Sequence, residues 1–365
     1  MRISPLILVL GTDPRTQAGG VSFSVPGHMR AYQIAGADVS YIVTHRSGRF
    51  VGKFLPFVAS IRLLLISIFS ARRNGRLIIV VCHVGGGIMS MARKYFLGCL
   101  SRFMGAKVVF QLHGFEVNSY LSSSKSRRFF SYFIAPADVV CVLTPWWRSY
   151  LQTAGIVKPI FVIPNPLPVS WEDIALKPRA YCENDAPVTI LTLSRLEAGK
   201  GVNDVIKAMS LLPNDFRLVI AGTGSAEASL RDLVDSLELN ERVRFCGWVS
   251  GENKQELFDQ CDIFALPTRY DSFGMGFLEA LANGLPVVAY DWGPVSDIIL
   301  DNKCGLLATE YSPPALAECI QRLKSYKIRK SYGVCGKRWV LKSFSAMNVA
   351  TEVNKIMEAF EDENL

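Results

Sequence analysis

The sequence has nine cysteines in 365 residues but no C-x-x-C pair. An odd number without paired spacing does not read as a disulfide framework or a zinc site, and buried reduced thiols fit better. No G-x-x-x-x-G-K-[ST] loop occurs, which excludes a Walker A site. Histidines number only four, and no D-x-D precedes the acidic C-terminal residues. No cluster shows metal-ligand spacing, so no metal is expected. The apolar stretch 6–10 stops at Gly11, too short for the core of an export signal. The longest apolar run, 54–69, has sixteen residues including Pro56 and Arg62. That falls short of the roughly twenty that a bilayer span needs.

Acidic residues are scarce in the first 165 positions. Four (Asp13, Asp38, Glu116, Asp138) stand against 19 Lys and Arg, a net of +15, whereas the remaining 200 residues carry 21 basic and 28 acidic groups. Halves of opposite sign suggest two domains, the basic one seeking an anionic partner. No helix-turn-helix, RNP or zinc-finger pattern accompanies the charge, so no nucleic acid is expected. An anionic membrane surface or a phosphate-bearing acceptor fits better, with solubility alone as the plainer reading. The run 54–69, followed by Arg72, Arg73 and Arg76, reads as a helix buried in the fold or one resting on a membrane surface.

What is present points to a globular α/β chain. Apolar residues make up 50% of the sequence, which excludes disorder, and 28 Gly and 18 Pro are scattered without a repeat. Short β-rich runs alternate with helical stretches, the pattern of βαβ units. Strands are expected at 6–10, 39–44, 77–82, 107–112, 139–143 and 160–163, then at 188–193, 216–221, 243–246, 262–266 and 286–290. The prolines at 164, 166 and 168 break the chain, and 164–187 reads as the connection, its Glu183-Asn184-Asp185 triplet solvated. Doubly wound sheets bind ligands at strand carboxyl ends, which makes the cleft between the domains the natural site.

The tightest motif runs from Pro267 through Asp271, Ser272, Phe273, Gly274, Met275 and Gly276 to Glu279. Its glycines admit backbone N–H groups to an anion at a helix N-terminus, and its two carboxylates suit a hydroxyl-rich ligand. Taken alone, a capping acid and an exposed helix glutamate explain the same pair. Arg195 and Lys200 bracket the turn after 188–193, a place to neutralise two phosphates. Gly222-Thr223-Gly224 lacks the third glycine of a dinucleotide fingerprint, Glu227 standing there, and reads more plainly as a tight turn. In the first half Gly19-Gly20 precede a helix, and His113 ends a strand in Leu112-His113-Gly114. His28, His45 and His83 read as structural.

In this order the motifs resemble the retaining nucleotide-sugar glycosyltransferases of family four, over nearly the whole chain. Gly19-Gly20 match the glycine loop, His113-Gly114 the cleft histidine, Arg195 and Lys200 the diphosphate pair, and Asp271 to Glu279 the E-x7-E motif. Two departures stand out: Asp271 replaces the first Glu, and Pro166 follows Asn165 where glycine is commoner. The resemblance implies an α/β chain of GT-B fold, two Rossmann-like doubly wound domains facing a central cleft. These are an acceptor domain (1–165), a linker (166–187) and a donor domain (188–345), with a C-terminal helix (346–365) packing back on the first.

It implies His113, Asp271 and Glu279 as catalytic residues, with Gly20, Arg195 and Lys200 at the donor diphosphate. Gly222, Phe245, Gly247 and Trp248 would meet the nucleotide, as would Ser272, Phe273, Gly274, Met275 and Gly276 with the sugar, and Glu279 would bind ribose hydroxyls. The donor would be UDP- or GDP-linked, without cofactor or metal, and the acceptor a lipid-linked or anionic saccharide in surface polysaccharide synthesis. Its place would be cytoplasmic, peripheral to the inner face of the plasma membrane. A GT-B epimerase or hydrolase acting on nucleotide sugars, or a non-catalytic nucleotide-sugar-binding subunit, stand as alternatives.

Overall fold

The computed structural model describes residues 4–13, 20–46, 50–181 and 186–362. The chain divides into two compact units, Met1–Pro168 with Ser343–Leu365, and Val169–Lys342. The Glu183-Asn184-Asp185 triplet lies outside the described residues.

The first unit alternates strand and helix: β1 (Leu6–Thr12), α1 (Gly20–Ile34), β2 (Asp38–His45), α2 (Phe50–Arg73), β3 (Ile78–Val84), α3 (Ile88–Phe103), β4 (Lys107–Leu112), α4 (Val117–Leu121), α5 (Ser124–Phe133), β5 (Val139–Val142), α6 (Pro145–Thr153) and β6 (Ile160–Val162). Its parallel sheet has the order β2-β1-β3-β4-β5-β6, so winding reverses between β1 and β3. The strand β3 shows why such a sheet is covered on both faces. All seven of its residues are buried. Ile78, Val80 and Cys82 pack with Leu64 and Ile68 of α2, while Ile79 and Val81 face the opposite layer.

The second unit contains α7 (Val169–Leu176), β7 (Val188–Leu193), α8 (Val202–Leu211), β8 (Phe216–Ala221), α9 (Glu227–Ser236), β9 (Val243–Gly247), α10 (Gly251–Gln260), β10 (Ile263–Ala265), α11 (Met275–Ala282), β11 (Val287–Tyr290), α12 (Val295–Ile298), β12 (Gly305–Ala308), α13 (Pro313–Arg322) and α14 (Tyr326–Phe344). Its sheet runs β9-β8-β7-β10-β11-β12, the doubly wound order with its switch point between β7 and β10. The buried Thr192 hydroxyl of β7 donates to the Ala265 carbonyl of β10 at 2.8 Å and fastens these two strands.

The last helix, α15 (Ala346–Glu361), belongs to the first unit. Ser345 caps it by accepting from the Asn348 amide. Val349, Val353, Ile356 and Phe360 repeat at helical spacing and pack with Ile7 and Val9 of β1. Among the described residues all eight cysteines are free.

Two expectations are corrected, and one strand was not expected. The stretch 166–187 is not simply a connection, because α7 lies within it, burying Trp171 and Ala175 one turn apart. Two buried positions after three prolines make too short a stripe to announce a helix. The four-residue strand β12 has no expected counterpart. The apolar run 54–69 is the middle of a 24-residue helix. Its 20-residue span Phe54–Arg73 is long and apolar enough to cross a membrane by length and composition; an 18-residue window within it has mean hydropathy 2.0 and is 22% buried. One face, with Leu64 and Ile68, is core, while Leu55, Val58, Leu63, Ile66 and Phe69 are exposed.

Two left-handed glycines separate backbone strain from crowding. Gly36 has φ +88° with open space where a Cβ would stand, whereas at Gly222 (φ +136°) a Cβ would lie 1.8 Å from the Ser194 carbonyl oxygen. Gly36→Ala should cost about 1–2 kcal/mol, and Gly222→Ala at least about 2 kcal/mol more. Urea unfolding followed by a probe in each unit reads the difference; equal losses would contradict it.

Candidate active site

In the second unit the loops after β7 and β10 each lead into a helix that begins at a left-handed glycine. Gly201 (φ 76°) precedes α8 and Gly274 (φ 83°) precedes α11, and neither helix start has a side-chain cap. The third amide of each helix bonds back to its glycine carbonyl, from Asp204 to Gly201 and from Phe277 to Gly274, which leaves the first two amides for an outside acceptor, and both dipoles favour an anion. Gly201 is demanded by space as well, since a Cβ there would sit 2.4 Å from the Pro267 carbonyl oxygen. The two loops are tied where the Arg269 amide donates to the Gly199 carbonyl at 3.1 Å.

Lys200 is buried and its Nζ donates to Asp271 Oδ1 at 2.8 Å, joining residues 71 positions apart. The short acidic side chain at 271 thus serves here as the lysine's partner. Arg195 is exposed and pairs with Glu197 at 2.9 Å. Exposed pairs of this kind contribute little, so a stronger anion can take over the guanidinium.

Glu279, in the second turn of α11, is only 4% exposed. The plainer sequence reading, an exposed helix glutamate, is therefore wrong. Its carboxylate meets the Lys254 ammonium of α10. Burial pushes the Glu279 carboxyl up to about 7, against the opposing pull of Lys254. The same ammonium stands 5.5 Å from the centre of the Trp171 ring on α7. Lys254 had no local signal, because its partner lies 25 residues away on another helix.

The remaining residues expected to meet a donor lie on β9, in the loops after β8, β9 and β10, and at the start of α11. Phe273 is buried and anchors the loop, while Ser272, Gly274, Met275 and Gly276 are half-buried. Gly222 donates its amide to the Gly247 carbonyl at 2.7 Å. Its lack of a side chain is explained by the Ser194 carbonyl alone, and Gly224 likewise abuts Leu196, 2.2 Å from where a Cβ would be. Phe245 lies 4.2 Å beneath the Arg231 guanidinium, and Trp248 is exposed.

In the first unit Gly20 is the first residue of α1, and Gly19 lies outside the described residues. His113 directly follows β4 and is buried against His83, which ends β3 one residue short of its terminus. The imidazole nitrogens of this pair, His83 Nδ1 and His113 Nε2, are 2.7 Å apart. His28 of α1 completes the group, its Nε2 lying 3.2 Å from Asn165 Oδ1. The ligand-capable nitrogens of these three lie within 4.8 Å of one another, a grouping that could hold a metal ion. Sequence spacing concealed it, since the residues come from three separate elements.

Burial lowers His28 to about 4. Burial, then the neighbouring imidazoles, hold His83 and His113 well below the ordinary histidine range. Lys94 of α3 is also buried, donating to the Leu10 carbonyl and to Thr44 Oγ1, both at 2.8 Å. Burial pushes its ammonium down to about 7.

The family model described as glycosyl transferases group 1 matches residues 173–339. A GDP-mannose-dependent α-(1-6)-phosphatidylinositol monomannoside mannosyltransferase of Mycolicibacterium smegmatis is 30% identical over 268 residues, 67% of this chain and 68% of that protein. An uncharacterized glycosyltransferase of Methanocaldococcus jannaschii is 32% identical over 203 residues, 54% of this chain. The match spans about half, 52%, of that relative's length. Anabaena HepE, solved in complex with UDP, superposes with a TM-score of 0.71 at 16% identity, over 98% of this chain and 100% of that one. The likeness shows the fold: two Rossmann-like α/β domains of the GT-B kind.

The two units should respond to acid in opposite directions. Glu279 is raised from 4.5 to about 7, so its stabilising contribution is complete below pH 4.5 and is lost as pH rises through 7. His28 is lowered from 6.5 to about 4, so its contribution is present above pH 6.5 and is lost as pH falls toward 4. Between pH 8 and 5 (roughly, for carboxylate and imidazole titrations), hydrogen-exchange protection relative to the intrinsic rate should fall around α1 and rise around α11. Glu279→Gln should abolish the second trend and keep the first.

Proposed function

Because the chain belongs to the group 1 glycosyl transferases, we propose that it moves a sugar from a nucleotide-diphosphate sugar to a saccharide acceptor, with retention and without a metal. The observation that carries this reading is the switch point between β7 and β10, where two uncapped helix N-termini stand with Lys200 and Arg195. As the glycosidic bond breaks, its electron pair passes to the diphosphate oxygen, and fixed amides and cations stabilise the added charge there. The acceptor hydroxyl attacks from the leaving-group face and gives its proton to a phosphate oxygen.

Glu279 accepts from the ribose hydroxyls, and Lys254 beside it favours the ionised carboxylate that such acceptance needs. The backbone of Phe245, Gly247 and Trp248 meets the base, the Ser272–Gly276 loop meets sugar and phosphate, and His113 acts at the donor sugar. UDP in the Anabaena structure and GDP-mannose in the mycobacterial name support a uridine or guanosine donor.

The acceptor in this reading is a lipid-linked or anionic saccharide of surface polysaccharide synthesis, met at the cytoplasmic face of the membrane. The exposed apolar face of α2 and its terminal Arg72 and Arg73 support that placement. So does the mycobacterial relative, which is named for a phosphatidylinositol-linked acceptor.

Thermal stabilisation by UDP and by GDP tests the donor site, since a ligand at about a hundredfold its Kd adds about 2.7 kcal/mol. Lys200→Ala and Glu279→Ala should each weaken the stabilising nucleotide about tenfold or more. His113→Ala should lower turnover about 100-fold with nucleotide binding kept. Nucleotide binding without transfer to any acceptor would favour a non-catalytic subunit, and release of free sugar without acceptor a hydrolase. Co-sedimentation should occur with anionic but not neutral vesicles and weaken with salt. Binding indifferent to both would remove the electrostatic account.

A further inference from the structure

His113 is backed by a second imidazole. The His83 and His113 rings lie 17° from parallel with centres 4.9 Å apart, and His83 Nδ1 stands 2.7 Å from His113 Nε2. Two nitrogen lone pairs do not settle at that distance, so one of the two atoms carries a proton and the other accepts it. Each choice for His83 therefore dictates the tautomer of His113.

The surroundings select between the choices. Among the described residues, His83 Nε2 is buried without a hydrogen-bond partner. A buried N–H without an acceptor is rarer and more expensive than a lone pair without a donor. The proton of His83 therefore belongs on Nδ1, which donates to His113 Nε2. His28 packs edge-on against both rings, at 69° to His83 and 85° to His113. With its own Nε2 donating to Asn165 Oδ1, it presents Nδ1 as a lone pair and sends no competing donor toward His83.

We propose that His83 is a positioning residue for His113: by donating its Nδ1 proton to His113 Nε2, it fixes His113 as the Nδ1–H tautomer. His113 is then a neutral imidazole carrying its proton on Nδ1, in a ring whose plane the hydrogen bond to His83 holds. The consequence for turnover rests on the transferase reading above. The tautomer does not.

Long-range proton–nitrogen NMR of the imidazoles in the intact protein reads the tautomer directly, and should find His113 protonated at Nδ1 in the wild type. His83→Leu, which removes the donor, should mix or reverse that tautomer. It should also lower kcat about 10- to 100-fold, with the KM for donor moved less than about twofold. His83→Asn places an amide N–H near the lost Nδ1 and should restore both the tautomer and most of kcat. A wild-type His113 protonated at Nε2 would overturn the proposal, as would a His83→Leu protein with unchanged tautomer or unchanged kcat. Should His83→Leu fail to fold, the wild-type spectrum and His83→Asn decide. One equivalent of zinc in the purified protein, lost in His28→Ala, would also overturn it by making the cluster a metal site. If no donor turns over in the wild type, the transferase reading fails while the tautomer remains measurable.

Discussion

The second unit depends on what happens where two neighbouring parallel strands send their chains in opposite directions. At the ends of β7 and β10 both backbones leave the ladder, and the loops 194–201 and 266–274 carry them into helices. A left-handed glycine starts each helix, and Gly201 also lets the first loop touch Pro267. The result concentrates unsatisfied amides in one small region without spending any side chain on them. An anion supplies what the fold withholds. Charge recognition here is thus a property of chain topology first and of basic residues second.

The side chains around that region are held in pairs. Lys200 is held by Asp271, Arg195 by Glu197, and Lys254 by Glu279. The pairs differ in depth, and depth decides what each does. The exposed Arg195 pair is weakly coupled and readily exchanged. The Lys200 pair, with its ammonium out of water, fixes a cation in place ahead of any ligand, which removes an ordering penalty from binding. Glu279 is deepest: burial raises its carboxyl to about 7, so it is only partly ionised near neutrality, and Lys254 opposes that rise.

Strand positions were well advertised, because β-branched runs such as 77–82 and 188–193 are buried on both faces and bounded by breakers. Elements whose stability comes from tertiary contact were not: α7 offers two buried positions, and β12 is four residues long. The site divides the same way. Residues whose role is written in local backbone geometry, Lys200, Asp271 and the 272–276 loop, were legible as a strand–turn–helix pattern. Lys254, His28 and His83 were not, since each matters through a partner on a different element, and one sequence carries no mark of that. For Gly222 the motif was visible but the reason was not. Its missing side chain makes room for a carbonyl of the neighbouring loop.

The return of α15 to the first unit has a consequence for biosynthesis. Ile7, Val9, Ile79 and Val81 form a face that Val349, Val353 and Phe360 cover only once residues 349–360 have been made. Everything needed for the second unit, 169–342, leaves the ribosome earlier. Vectorial synthesis therefore inverts the order of the sequence: the later half can mature first, while the earlier half waits with an oily sheet surface uncovered. During that interval the nascent protein is a natural client for holding chaperones.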